Sequence, residues 1–341
     1  MSENSENSAG SFSWGEEETR FFFNLTPDKI LNAVEKTGVS CTGRVFQLNS
    51  MENRVYDLEL NSDSDPSGTS SCITKFYRPG RWNFQQISEE HQFLFDLIEY
   101  DIPVVAPTRN ESGDSIFKLD DLDIYFSIFP KVGGRNPNEL STEQLGIVGR
   151  LLARLHNVGA TKEASSRIEL SPENYGYQSL DFLLDTEALP ANIEQEYQDL
   201  LEEICEVSLE IFEGKSIQRV HGDCHLGNLL WGDQGPFWVD FDDMCRAPCV
   251  QDIWLVVPGR DDESKKQLDI LLGSYEQMRS FDYSELELIE VLRTLRIVHF
   301  NAWISKRWKD PFFPKAFPQF GTPNYWADQL NVLREQAELI L

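Results

Sequence analysis

The spacing of apolar residues along this chain changes once, near residue 130, and the change separates two kinds of structure. Before it, short runs rich in apolar and β-branched residues read as strands at 44–48, 54–60 and 72–77, with two more at 116–119 and 124–129. Asn49 to Asn53 predicts a hairpin turn between the first two, and the polar stretch from Asn61 to Gly68 predicts a second turn. Thr26-Pro27-Asp28 opens an amphipathic helix carrying Ile30, Leu31 and Val34, which Gly38 ends. Ile87, Phe93, Leu94, Leu97 and Ile98 recur at helical spacing and predict a second helix over 84–100.

After Pro130-Lys131-Val132-Gly133-Gly134 the pattern becomes mostly helical. One helix starts at Ser141-Thr142-Glu143 and runs through Leu151, Leu152 and Leu155 to Gly159, and a long one spans 193–212. Short strands and loops follow, then helices near 264–279, 284–306 and 324–340, interrupted by a loop rich in proline and aromatic residues from Asp310 to Pro318. No internal repeat is visible. Residues 1–18 are rich in Ser, Asn and Glu and predict a disordered tail. The expected fold class is α+β, with an N-terminal antiparallel sheet plus helix and a larger, mostly helical C-terminal lobe.

Composition narrows the function classes. The chain has 341 residues and a formal net charge of −27. A surface this acidic repels phosphate backbones, so nucleic acid is excluded as a partner, whereas a cationic substrate or a basic protein segment is attracted. No apolar run reaches the roughly 18 residues of a membrane helix, and the first residues lack the basic start and apolar run of a secretory signal. A cytoplasmic location with no membrane partner is expected. Six cysteines, at 41, 72, 205, 224, 245 and 249, form no Cys-x-x-Cys pair and read as reduced thiols. His221, Cys224 and His225 match no common structural zinc spacing.

The chemistry concentrates in His221-Gly222-Asp223-Cys224-His225-Leu226-Gly227-Asn228 and in Phe237-Trp238-Val239-Asp240-Phe241-Asp242-Asp243. An Asp, an Asn five residues later and a second Asp at the end of an apolar run are the minimal equipment for magnesium-dependent phosphoryl transfer. The catalytic loop of protein kinases, H-R-D-x-x-x-x-N followed by D-F-G, has the same arithmetic, with Gly222 here in place of the Arg. Asp223 is the candidate base. Asn228 and Asp240 are the candidate Mg2+ ligands. Asp242 competes with Asp240, or serves a second metal or the incoming substrate. Lys75 ends a strand and is the candidate cation for the ATP phosphates, to be held by a carboxylate from Glu89 or Glu90, which lie on different faces of the helix. In place of a G-x-G-x-x-G loop, the hairpin turn offers the Ser50 hydroxyl and backbone N–H groups to phosphate. Asp252 is expected to cap a helix and hold the catalytic loop, and His156 to be a packed helix residue.

These residues resemble the aminoglycoside phosphotransferase and choline kinase superfamily, whose fold is protein-kinase-like and two-lobed, and within it the bacterial stress-response kinases. The resemblance rests on Leu48-Asn49-Ser50 with Glu52 to Tyr56, Lys75-Phe76-Tyr77-Arg78-Pro79, Glu89 to Phe93, Phe129-Pro130 with Val132 to Arg135, and His221 to His225. It continues through Val250-Gln251-Asp252 to Arg307-Trp308 and Asp310-Pro311. It implies a cytoplasmic, monomeric, ATP- and Mg2+-dependent Ser/Thr protein kinase of a stress response. The ATP-contacting Ser falls on Ser50, the Lys partner on Glu90, the proton acceptor on Asp223, and the metal ligands on Asn228 and Asp240, the last also counted as catalytic. Residues 19–130 become a nucleotide-binding lobe and 131–341 a catalytic and substrate lobe. The site alone leaves a second substrate class open. Only eleven residues separate Asp240 from Asp252 and no A-P-E follows, which suits a small cationic alcohol, such as an amino alcohol, sugar or aminoglycoside, as acceptor.

Overall fold

The computed structural model describes residues 22–61 and 70–341. The predicted tail at 1–18 and, apart from Asn61, the predicted turn at 61–68 lie outside the described residues. The first element is helix α1 (Pro27–Glu35), begun by proline in its first turn and burying Ile30, Ala33 and Val34. Strands β1 (Cys41–Leu48), β2 (Arg54–Leu60), β3 (Ser71–Phe76), β4 (Phe117–Leu119) and β5 (Ile124–Pro130) form one antiparallel sheet in the order β1-β2-β3-β5-β4. Helix α2 (Phe84–Glu99) sits between β3 and β4 in the chain and begins with a capping box, Asn83 Oδ1 accepting from Gln86 N and Gln86 Oε1 from Asn83 N.

Strand periodicity decides which face each side chain takes. Tyr56, Leu58, Leu60, Cys72, Phe76, Ile124, Phe126 and Ile128 join Ile30 and Val34 of α1 in one apolar cluster. Lys75 is out of phase with that set. Paired with Val55 on β2 and Ser127 on β5, it therefore projects from the opposite face, towards α2 and the rest of the molecule. On α2, Phe93, Leu94 and Leu97 belong to the core of the helical lobe, so this helix is shared between the two halves.

The helical lobe comprises α3 (Thr142–Gly159), α4 (Gln178–Asp185), α5 (Glu194–Phe212), α6 (Val250–Val256), α7 (Asp262–Tyr275), α8 (Leu288–Arg307), α9 (Phe312–Ala316) and α10 (Pro323–Ile340). Helices α3 and α7 approach closely at Gly149, where a Cβ would come within 2.3 Å of the Leu271 carbonyl oxygen. Two small antiparallel pairs carry the loops between α5 and α6. Strand β6 (Gln218–Val220) pairs with β9 (Cys245–Ala247), and β7 (Leu229–Gly232) with β8 (Gly235–Trp238).

The helices at 142–159 and 194–212 match the predicted spans within a residue, and the sheet strands within a few. Three features differ. The Asp310–Pro318 segment is not simply a loop, because it contains α9, whose Phe313 is buried. The helix expected from 284 begins as a 3-10 turn over Tyr283–Glu287 and becomes α-helical only at Leu288. Pro172–Tyr177 forms a single π-helical turn leading into α4, and its short mixed composition carries no helical period to read.

Candidate active site

The loop from His221 to Asn228 is clamped between β6 and β7, and its backbone is fixed from beneath. Asp252 on α6 accepts from His221 N at 2.9 Å, from Gly222 N at 2.8 Å, and lies 3.1 Å from His156 Nε2. Asp252 therefore serves the loop and not its own helix: the residue at the cap of α6 is Cys249, with no side-chain cap. His156 is buried, as expected of a helix residue, but it also belongs to the support, with Tyr275 Oη 3.0 Å from its Nδ1. Gly222 has φ +86°, and a Cβ there would lie 2.2 Å from the Asp243 carbonyl oxygen, so glycine is required where protein kinases carry Arg.

Within the loop, Asn228 Nδ2 donates to Asp223 Oδ2 at 3.1 Å and to the Asp223 carbonyl at 3.0 Å. His225 Nε2 lies 3.2 Å from Asp223 Oδ2, and Arg296 Nη2 of α8 donates to Oδ1 at 2.8 Å. Burial alone would raise the Asp223 carboxyl, but the His225 hydrogen bond and the Arg296 charge outweigh it and hold Asp223 below the usual carboxylate range. It is ionised at neutral pH, as an acceptor of a hydroxyl proton must be.

Asp240 follows β8. Val239 N donates to Asn228 O at 3.0 Å, which ties the end of that hairpin to the catalytic loop. Asp240 adopts a left-handed backbone, φ +62° and ψ +67°, sparsely populated for residues other than glycine and common at functional sites. Its side chain is 57% exposed, whereas that of Asp242 is 3% exposed. The difference separates their roles. Asp242 Oδ1 lies 2.8 Å from Lys75 Nζ and its Oδ2 accepts from Arg81, so its carboxylate is sealed inside and not offered to the cleft. Burial would raise Asp242, yet Lys75 and Arg81 keep it below the carboxylate range.

Lys75 Nζ stands among three carboxylates, 2.8 Å from Asp242, 3.3 Å from Asp240 and 3.5 Å from Glu90. Glu89 points elsewhere, accepting from Ser166 N at 3.0 Å and Arg167 N at 3.0 Å. Glu90 is the less favoured partner of Lys75. Burial pushes it up to about 7, only partly offset by Lys75, and its Oε2 is buried without a hydrogen-bond partner among the described residues. Ser50 lies in the β1–β2 turn, partly exposed. The turn beyond it is anchored by Arg78, whose Nε donates to Glu52 O at 2.9 Å and Nη2 to Met51 O at 3.3 Å.

Arg81, Arg167 and Trp303 of this centre were not singled out from sequence. Arg81 joins Asp242 and Asp243, and Arg167 donates to the Asp242 carbonyl and to Met244 O. Glu52 receives Arg307 Nη2 at 2.6 Å and Trp303 Nε1 at 2.8 Å from α8, and Arg78 Nη2 reaches Asp310 at 3.1 Å. Glu52, Arg78, Arg307 and Asp310 lie in segments that carry the family resemblance, but only three-dimensional proximity joins them into one ionic group. Cys245, near the site, is buried and its thiol pushed up by burial, unlike a reactive thiolate.

Among the described residues, no group of three or more His, Cys, Asp or Glu is placed to hold a metal ion by itself. Magnesium needs no such cage, because it is held by one or two protein oxygens together with substrate phosphates and waters. The exposed Asp240 carboxylate, with Asn228 tied to it through Val239, fits that donor chemistry. Beside Asp223 lies a cavity of about 200 Å3, walled by Arg81, Tyr175, Arg296, His299, Phe300 and Trp303 among others.

Residues 47–289 match the sequence profile of the phosphotransferase enzyme family. The chain is 37% identical over 320 residues to "Stress response kinase A" of Escherichia coli (strain K12), covering 94% of both. It is 35% identical, with the same coverage, to "Serine/threonine protein kinase RdoA" of Salmonella typhimurium (strain LT2). Among solved structures, an amicoumacin kinase in complex with AMP-PNP, Ca2+ and Ami superposes with TM-score 0.69 at 18% identity, covering 92% of this chain and 93% of that one. A spectinomycin phosphotransferase with ADP and spectinomycin superposes with TM-score 0.62 at 14% identity, covering 91% and 98%. At these identities the likeness is one of fold, the two-lobed kinase-like fold that the sequence led us to expect.

Proposed function

The chain belongs to the phosphotransferase enzyme family, and from that premise we propose that it is an ATP- and Mg2+-dependent Ser/Thr protein kinase, acting as a monomer in a stress response. In this reading residues 19–130 bind the nucleotide and 131–341 carry catalysis and the acceptor. The observation that carries it is the position of Lys75, which reaches from the sheet lobe to Asp240 at 3.3 Å and so closes one cleft between the sheet and the catalytic loop. Lys75 takes the α/β-phosphates, and Glu90 with Asp242 keeps its ammonium in place. Ser50 and the backbone of its turn face the outer phosphates. Asn228 and Asp240 hold Mg2+, which when bound supplies charge neutralisation on the phosphate oxygens. Asp223 orients the acceptor hydroxyl and receives its proton.

Three observations favour a protein acceptor over a bulky antibiotic. The relatives that share 94% of the chain carry stress-response and Ser/Thr protein kinase names. The cavity beside Asp223, about 200 Å3, falls below the roughly 300–1,000 Å3 of drug-sized ligand pockets and suits one short hydroxyl-bearing side chain. The net charge of −27 favours a basic segment around it. The second reading, a kinase for a small alcohol, draws on the fold neighbours that act on small molecules.

Labelled ATP with Mg2+, offered separately to protamine and to ethanolamine, separates these readings. Phosphoserine on protamine, abolished by EDTA, is the expected result. Label confined to ethanolamine would replace the protein acceptor by the small alcohol, and nucleotide turnover with neither, nor with water, would remove the kinase assignment.

A further inference from the structure

Both oxygens of the Asp223 carboxylate are already engaged. Oδ2 faces donors from its own loop, Asn228 Nδ2 at 3.1 Å and His225 Nε2 at 3.2 Å. These donors are themselves fixed: Gly227 N donates to His225 Nδ1 at 2.9 Å, and Val239 N donates to Asn228 O at 3.0 Å. Oδ1 accepts a single donor from outside the loop, Arg296 Nη2 at 2.8 Å. Arg296 comes from α8, on the far wall of the cavity, and its side chain is 43% exposed. Among the described residues it pairs with no other carboxylate. Arg81, the neighbouring cation, is by contrast 8% exposed and committed to Asp242 and Asp243. One cover on the base is therefore built in, and the other is a long, half-exposed side chain that can be moved.

The geometry points to Arg296 as a positioning residue that covers Oδ1 of Asp223 until an acceptor displaces it, and so discriminates an acceptor hydroxyl from water. This rests on the kinase reading above. In the transfer step the acceptor oxygen forms its bond to the γ-phosphorus while its proton passes to Asp223 Oδ1. The bond from the γ-phosphorus to the β,γ-bridging oxygen breaks, and its electron pair leaves on ADP. Water in the acceptor's place would give ADP and inorganic phosphate by the same proton transfer. Water brings no binding energy to shift the guanidinium. An acceptor seated against Tyr175, Phe300 and Trp303 does, and that remote contact is spent on uncovering the base. Arg296 thereby suppresses futile hydrolysis at the cost of a higher acceptor KM.

The test measures Mg2+-ATP hydrolysis without acceptor, and transfer to protamine, for the full wild-type chain, Arg296→Ala, Arg296→Lys and the double variant Arg296→Ala/Asp223→Asn. A charge-assisted hydrogen bond is worth about a tenfold or larger factor in an equilibrium. We expect Arg296→Ala to raise acceptor-free hydrolysis by about tenfold and to lower the protamine KM, Arg296→Lys to restore part of the suppression, and the double variant to lose the extra hydrolysis. Damage to the fold lowers hydrolysis and transfer together, so a gain in hydrolysis is not produced by a structural defect. If Arg296→Ala melts below the assay temperature, Arg296→Gln carries the same comparison. Wild-type transfer with unchanged or reduced hydrolysis in the Arg296 variants would overturn the cover while leaving the kinase intact. No hydrolysis and no transfer by the wild-type chain would instead overturn the kinase reading, and the cover with it.

Discussion

At the residue scale, the two acidic positions after β8 show what a side chain's surroundings add to its identity. Asp240 and Asp242 are two residues apart and chemically identical, yet one is more than half exposed and the other is enclosed by Lys75 and Arg81. Replacing Asp240 by Ala is therefore expected to abolish the Mg2+-dependent part of nucleotide binding, read by calorimetry with and without the metal. A variant that keeps the wild-type difference between the two conditions would take the ligand role away from Asp240. On the proposed reading Asp223→Asn removes the proton acceptor, and it is expected to lower kcat by about 10²–10⁴ with nucleotide affinity little changed. Glu90 gives a pH signature. Its folded value of about 7 lies above the ordinary 4.5, so between those values the folded protein holds a proton that the unfolded chain releases. Its contribution to stability thus falls as pH rises from about 4.5 to 7. The melting temperature of Glu90→Gln, relative to wild type, should climb across that window; a constant difference would mean that Glu90 does not titrate there. The spacing of Lys75, Asp223, Asn228 and Asp240 was legible because each follows a strand or loop of recognisable pattern. Arg296 was not, because an Arg on a helix 73 residues from its partner reads as a solvated helix residue.

At the element scale, the catalytic loop is held by β6 and β7 and by one carboxylate beneath it. Gly222 at φ +86°, with the Asp243 carbonyl 2.2 Å from where a Cβ would stand, tolerates no side chain without a shift of backbone. Gly222→Ala is expected to cost about 1–3 kcal/mol in urea unfolding, the usual range for a strained backbone position, and to reduce kcat more than nucleotide affinity. An unchanged denaturation midpoint would show that the loop relaxes freely. Sequence periodicity recovered α1, α2, α3, α5 and the sheet, since each carries several apolar residues at one regular spacing. The π-helical turn at 172–177, α4 and α9 escaped it for a shared reason. They are short, so a single turn or two supplies too few apolar positions to establish a period, and their conformation is set by what they pack on. Phe313 of α9 packs edge-to-face against Trp303 at 4.9 Å between ring centroids, a contact that no local pattern announces. The Glu89–Glu90 pair marks the same limit inside a long helix, because local spacing places them on different faces without saying which face meets the sheet.

At the scale of the whole molecule, the β1–β2 turn of the sheet lobe, which we propose faces the phosphates, is fastened to the last helices of the other lobe. Glu52, beside that turn, is buried; its carboxylate accepts from Arg307 Nη2 at 2.6 Å and Trp303 Nε1 at 2.8 Å and is ion-paired with Arg78, whose Nε lies 3.2 Å from Oε1. Arg78 in turn reaches Asp310 at 3.1 Å. Burial would raise the Glu52 carboxyl, but Arg307, Arg78 and Arg81 bring it down to about 2. A turn that in a freely hinged kinase would move with its own lobe is here tied to α8, the helix that also presents Arg296 to Asp223. On the proposed reading, nucleotide and acceptor are thus served by one helix. Removing one member of a buried ionic group leaves its partners uncompensated, at a cost of about 3–5 kcal/mol, so Arg307→Ala is expected to lower unfolding stability by that order and to raise the KM for ATP more than kcat falls. The acid side gives an independent reading. A carboxyl depressed from 4.5 to about 2 contributes stability that is complete above about 4.5 and is lost as pH falls towards 2. Glu52→Gln should remove that part of the acid sensitivity while lowering stability at neutral pH. Should the variant match wild type at pH 7 and unfold over the same acid range, the two lobes would not be joined through Glu52, and closure would have to be carried by Lys75 alone.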